Sequence, residues 1–169
     1  GENAAHGGVA DRVTAHQSDG SVLPFADASL DRVTTRNTLI YVDDPSATIG
    51  EFKRVLRAGG KLHTIEGDWP MMIAEPVPTA IWQALLSAAQ HVCRTPDIGR
   101  KMTGLLARSG FEDIEIQVIT RPDTTGKLLP MIRNMAGYAR DGARLAETEI
   151  DSILATLEQA LEDNAYLVL

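Results

Sequence analysis

An α/β fold follows from three observations. Residues 12–66 read as strand, loop, strand, helix, strand, the alternation of an open sheet joined by a crossover helix. The helix in that series carries stop and start signals at both ends. A further helix-to-strand step follows between Ile98 and Thr120.

Gly1 to Asp11 reads as the end of a helix running into a turn at Gly7-Gly8. Arg12 to Ser18 alternates as a short strand and closes on Asp19-Gly20. Pro24 breaks Ser21 to Ser29 into a loop. Leu30 to Arg36, with β-branched Val33, Thr34 and Thr35, is the next strand.

Asp44 then offers a carboxylate to cap a helix, and Pro45 suits the first helical position, where no N–H is needed. Ile49, Phe52, Val55 and Leu56 recur as one apolar stripe. Lys53, Arg54 and Arg57 complement the carboxyl end of the helix dipole, and Gly59-Gly60 supplies the stop. Lys61 to Glu66 is the strand that follows.

After Trp69 the prolines at 70, 76 and 78 interrupt regular structure. Ala80 to Val92 reads as a helix. Thr95 or Asp97 caps the next one, which ends at Gly110. Ile114, Ile116 and Val118 alternate with Glu115 and Gln117, which predicts a strand over Asp113 to Thr120. Leu128 to Tyr138 is helical, Thr148 caps a last helix, and Tyr166 to Leu169 begins a strand.

A chain of 169 residues forms one domain with a core of its own. It is read as a single unit, 1–169, with 70–96 as a lid-like insertion. The net charge of −7 argues against a nucleic-acid partner, which calls for a basic face. The single cysteine, Cys93, leaves no internal disulfide framework, so a cytoplasmic setting is expected. No apolar run reaches membrane-spanning length, and the first residues have neither the basic nor the apolar part of a signal peptide. The four histidines show no metal-ligand spacing, and no metal is expected.

Taken in order, several motifs resemble class I S-adenosylmethionine-dependent methyltransferases that act on small molecules. SDGSVLPFADASLDRV, Ser18 to Val33, is similar to that family's acidic residue and its LPF-x-D-x-S-F-D-x-V loop. RVLRAGGKL, Arg54 to Leu62, is similar to its R-V-L-x-P-G-G-x-L junction, with Ala58 in place of proline. IGRKMTGLLARSGFEDIEI, Ile98 to Ile116, resembles its helix-to-strand step ending in A-G-F. The resemblance implies a Rossmann-like sheet with flanking helices and the cofactor S-adenosyl-L-methionine. The family's glycine-rich cofactor loop and second-strand carboxylate have no counterpart. The sequence is therefore expected to be a member lacking its first βαβ unit, with the last strand half complete.

The resemblance assigns Asp19 and Gly20 to the adenine; the competing reading is a strand-ending Asx turn. It places Arg36 and Asn37 near the methionine part of the cofactor, although Arg36 equally suits a surface ion pair with Asp43 or Asp44. Tyr41 and Trp69 are candidates to face the acceptor, or else packed aromatics. Glu66, Asp68 and His63 are the candidate bases near the end of the fifth family strand, where ligands of open α/β sheets bind. His63 also reads as a partly buried structural histidine. Asp27, Asp31, Glu51 and Arg54 read as scaffold charges, and Cys93 as an inert thiol. The expected function is methyl transfer to a small-molecule acceptor. Its rival is a truncated, catalytically silent fold that persists as a homodimer or strand-exchanged assembly through an open sheet edge. A nucleotide-binding module of another kind fits less well, because no phosphate-binding glycine loop is present.

Overall fold

The Asp44 carboxylate does cap a helix, accepting the N–H groups of Ser46 and Ala47 at 2.9 and 3.1 Å. In the computed structural model, which describes residues 6–169, this helix is α1 (Pro45–Val55). It links two parallel strands, β1 (Leu30–Arg36) and β2 (Leu56–Ile65). Strand β3 (Ala74–Glu75), helix α2 (Thr79–Ala89), helix α3 (Ile98–Arg108), helix α4 (Leu129–Asp141), helix α5 (Glu147–Glu162) and strand β4 (Leu167–Val168) follow. The fold is mixed α/β, as expected. Among the described residues no helix is long and apolar enough to cross a membrane.

The register of β1 against β2 runs from Arg32 opposite Lys61 to Arg36 opposite Ile65. Even-numbered β2 residues and odd-numbered β1 residues share the packed face: Val33 and Leu62 lie against the core, and Thr35 Oγ1 bonds Thr64 Oγ1 at 3.0 Å. The opposite face, with Arg32, Thr34, Arg36, Lys61, His63 and Ile65, is exposed.

Two hydrophobic clusters form the core. The first joins α1 and α3 with Leu39, Ile40 and Cys93. The second joins α2, α4 and α5 with β3 and β4. Trp69 packs against both. The segment expected as a lid-like insertion supplies Val77, Trp82, Leu85 and Leu86 to the second cluster. Trp82 is buried there and donates its Nε1–H to the Met72 carbonyl at 2.9 Å.

The structure departs from the sequence reading in several places. Helix α1 ends at Val55, before Gly59-Gly60. Residues 57–60 instead bulge between Leu56 and Lys61, and regular pairing starts at Lys61, where the strand was expected. Gly60 is required in that bulge: a Cβ would lie 2.9 Å from the Arg57 carbonyl oxygen and 3.3 Å from that of Asp31. Arg12 to Ser18 is not a strand. A short 3-10 turn, Ala10–Arg12, leads into irregular chain, and Val13 is half exposed. Asp113 to Thr120 forms no strand either. Both stretches alternate in sequence, but a strand also needs a ladder partner, and neither has one among the described residues. Helix α5 starts at Glu147, so Thr148 lies inside it; Glu149 performs the capping by accepting the Ala146 N–H at 3.2 Å. The helix expected before Gly7-Gly8 falls largely on residues 1–5, outside those described.

Candidate functional site

The carboxyl ends of β1 and β2 are where a ligand of a parallel sheet is received. Three chain segments meet around them: the turn after β1, the exit of β2, and the Asp19 loop, which lies against α1.

Asn37 ends β1 in the left-handed region, φ 49°, and donates its N–H to the Ile65 carbonyl at 2.9 Å. The chain then turns so that the Thr38 and Leu39 N–H groups both point at Glu66 Oε1, each at 3.1 Å. The second oxygen, Glu66 Oε2, is buried with no hydrogen-bond partner among the described residues. Burial of an acceptor without a partner is costly, so this oxygen has an open hydrogen-bonding capacity. Tyr41 stands beside this carboxylate. Partial burial, followed by the proximity of Cys93, Tyr138 and Glu66, pushes its phenol above the ordinary range. Burial raises the Cys93 thiol to about 11, which keeps it protonated and inert, as expected.

Asp68 is differently placed. Arg100 Nε reaches Oδ2 at 2.7 Å, Nη2 reaches Oδ1 at 2.6 Å, and the Arg100 N–H adds a third bond at 3.2 Å. Both oxygens are thus engaged in holding the β2 exit to the start of α3. The same junction is pinned by the Trp69 N–H on the Pro96 carbonyl at 2.9 Å. It needs Gly99, where a Cβ would lie 3.2 Å from the Gly67 carbonyl oxygen. Sequence reasoning missed Arg100. A signal was there: a cation in the first turn of a helix opposes the helix dipole, so it calls for a nearby acid.

Asp19 forms the Asx turn that was its competing reading. Its Oδ1 accepts the Ser21 N–H at 2.9 Å and the Ser21 hydroxyl at 2.6 Å. Those bonds hold the carboxyl below its ordinary range, so it stays ionised. Gly20 is left-handed, φ 85°, and its N–H is taken by Ser18 Oγ at 3.0 Å. A Cβ at Gly20 would lie 3.4 Å from Thr48 and 3.6 Å from Val42, which places the loop at the amino end of α1. An open cavity of about 560 Å³ is lined there by Gln17, Ser18, Asp19, Ser21, Val22 and Pro24.

Arg54 fixes the stretch that follows. It donates to Glu51, to Asp27 at 2.6 Å, and to the Leu23 and Phe25 carbonyls at 3.1 and 2.9 Å. Glu51 also takes the Leu23 N–H, and the Arg54 bond followed by this one lowers its carboxyl to about 2. Arg54, Glu51 and Asp27 are scaffold charges, as expected; Asp31 is another, paired with Arg57 at 2.7 Å.

The structure therefore brings Asn37, Tyr41, Glu66 and Trp69 to the strand ends, with Asp19 and Gly20 beside the amino end of α1. It does not bring Arg36 and His63 into this group. Both lie on the exposed face of the sheet, and His63 is exposed rather than partly buried. Among the described residues no cluster of three or more His, Cys, Asp or Glu could hold a metal ion.

Residues 2–64 match the family model described as a methyltransferase domain. This stretch contains the Asp19 loop, β1, α1 and most of β2, and it stops just short of Glu66. A demethylmenaquinone methyltransferase of Parafrankia sp. is 40% identical over 83 residues, 49% of this chain and 32% of that protein. The methyltransferase GfsG of Streptomyces halstedii is 40% identical over 55 residues, 32% of this chain and 20% of that protein. An uncharacterized 37.1 kDa protein in transposon TN4556 of Streptomyces fradiae is 32% identical over 94 residues, 55% of this chain and 27% of that protein. The chain thus spans a third or less of the length of these relatives. The solved structure of the cyclase SpnF aligns with 99% of this chain and 59% of its own, at 18% identity and a TM-score of 0.49.

Proposed function

We propose that this chain takes part in S-adenosylmethionine-dependent methyl transfer to a small-molecule acceptor. One observation carries the reading: an open cavity is lined by Asp19 and its loop, a loop that packs at Gly20 against the amino end of α1 within the segment that matches the methyltransferase family. The residues fit the adenine end of the cofactor in two respects. Asp19 is ionised and its Oδ2 has no partner among the described residues, so it suits an exocyclic amine. Val22, 70% exposed, and Pro24 offer an apolar surface to the ring. Asn37 would meet the amino-acid end with its side-chain amide.

When bound, S-adenosylmethionine supplies an already activated methyl group. The chain has to orient an acceptor and keep water out. Tyr41 and Trp69 would flank the acceptor. Glu66 would serve as the base when the acceptor must lose a proton. Asp68 acts through Arg100, as a brace.

One observation favours the rival, catalytically silent reading: the Gly20 and Ser21 N–H groups are already satisfied inside their own loop. Calorimetric titration with S-adenosylhomocysteine separates the two. Micromolar binding that weakens at least tenfold in Asp19→Asn supports the cofactor site. A folded chain that takes up no S-adenosylhomocysteine supports the silent fold.

A further inference from the structure

Residues 113–120 have a strand's sequence and no strand's partner. Phe111 donates its N–H to Leu106 and Asp123 donates to Val168, and between them no backbone hydrogen bond to another segment is formed among the described residues. Ile114 packs against the first cluster, but the apolar side chains beyond it stand in water: Ile116 is 56% exposed, Ile119 66% and Val118 82%. Extended, apolar and unpaired chain of this kind pairs with any free sheet edge it meets.

Such an edge exists. Among the described residues, β1 is hydrogen-bonded on one side only, to β2. Its two faces differ sharply. Val33 faces the apolar cluster, whereas Arg32, Thr34 and Arg36 face outward beside Lys61 and His63. Arg32, Arg36 and Lys61 stand together on this face, and none of them forms an ion pair among the described residues. Arg32 and Lys61 are direct cross-strand neighbours, and like charges so placed repel. In a chain of net charge −7, this face lacks its counter-charge.

The faces of the unpaired segment are complementary to those of β1. In an extended strand Ile114, Ile116 and Val118 would share one face, and Glu115, Gln117 and Ile119 the other. Laid beside β1, Ile116 and Val118 would continue the Val33 side, and Glu115, Gln117 and Ile119 would fall among Arg32, Thr34 and Arg36. The lengths agree: eight residues against the seven of β1. Beside β2 the match is poorer, since its outward residues include only one full cation, Lys61. The segment's own chain anchors it at both ends, at α3 and β4, and it makes no ladder with its own β1.

We infer that residues 113–120 of one copy add as a strand to the free edge of β1 in a second copy. Exchanged in both directions, the addition closes a two-fold dimer. The apolar segment leaves water, and the cationic face gains a carboxylate from each partner.

Light scattering behind size exclusion, over a range of concentrations, tests this on the full chain. The mass is expected to double as concentration rises. Val118→Pro removes a ladder donor at an exposed position. It should leave the helical circular dichroism unchanged and hold the chain monomeric. Arg32→Glu with Arg36→Glu should weaken the dimer at least tenfold, and adding Glu115→Arg should recover most of that loss. A chain that stays monomeric at every concentration overturns the inference. So does a dimer unaffected by Val118→Pro, or a monomer whose amides at 113–120 resist hydrogen exchange through pairing in its own chain.

Discussion

Glu66 and Leu39 tie the exits of the two parallel strands together: a carboxylate oxygen at the end of β2 accepts the Leu39 N–H just beyond β1, at 3.1 Å. The Thr38 N–H shares that oxygen. One side chain therefore shapes the turn that positions Asn37 and Tyr41. Glu66→Ala orphans both donors and is expected to cost about 1–3 kcal/mol in denaturant unfolding. Glu66→Gln keeps an acceptor and should cost less than half as much. If Glu66 also accepts a proton from the acceptor, Gln will retain cofactor affinity and lose turnover.

Asp123 makes acid stability a second test. It is nearly buried and bonded by the Thr125 and Leu128 N–H groups, at 2.9 and 2.7 Å, and by the Tyr166 hydroxyl at 3.3 Å. Burial works to raise its pKa, but the backbone donors outweigh it and lower the value from 3.8 to about 2. Between those values the unfolded chain binds more protons than the folded one, so stability falls as pH falls through that window. The full contribution is present above pH 4 and is on the order of 2 kcal/mol. Asp123→Asn should flatten this part of the curve of unfolding free energy against pH.

Arg54 gives a third. Its guanidinium holds Leu23, Phe25 and Asp27 from a single point on α1. Lysine cannot reproduce that fork. Because the side chain is partly exposed, Arg54→Lys should cost little global stability. Limited proteolysis should nonetheless show faster cleavage within 23–28 than in the parent chain.

The bulge before β2 gives a fourth. Gly60→Ala forces a Cβ against two backbone carbonyls that cannot move independently. A loss of about 1–3 kcal/mol is expected in thermal or denaturant unfolding. Gly50→Ala, whose Cβ meets nothing within 4 Å, is the control and should be neutral or stabilising.

These cases show what was legible in the sequence. Helix α1 was, because Asp44, Pro45 and the Ile49–Phe52–Val55 stripe are local signals that need no tertiary context. So was the adjacent strand from Lys61. Arg12–Ser18 and Asp113–Thr120 were misread for one physical reason: alternation describes the faces a strand would have, while pairing depends on a partner the window does not contain. The Asp19 turn was legible as one of two readings, since Ser21 lies two residues away. The partners of Glu66 and Asp68 lie about thirty residues off in opposite directions, so their roles as brace and clamp were beyond local pattern. The face on which His63 and Arg36 lie depended on which side of the sheet packs against α1, and alternation alone does not say which.

The most direct test of the proposed site is an amide correlation spectrum of the chain titrated with S-adenosylhomocysteine. Saturable shifts are expected at Gly20, Ser21 and Asn37, with Thr34 and His63 on the outer sheet face unmoved. No shifts, or shifts confined to the separate groove between α2 and α5 lined by Ile81, Ala84 and Ser152, would contradict it.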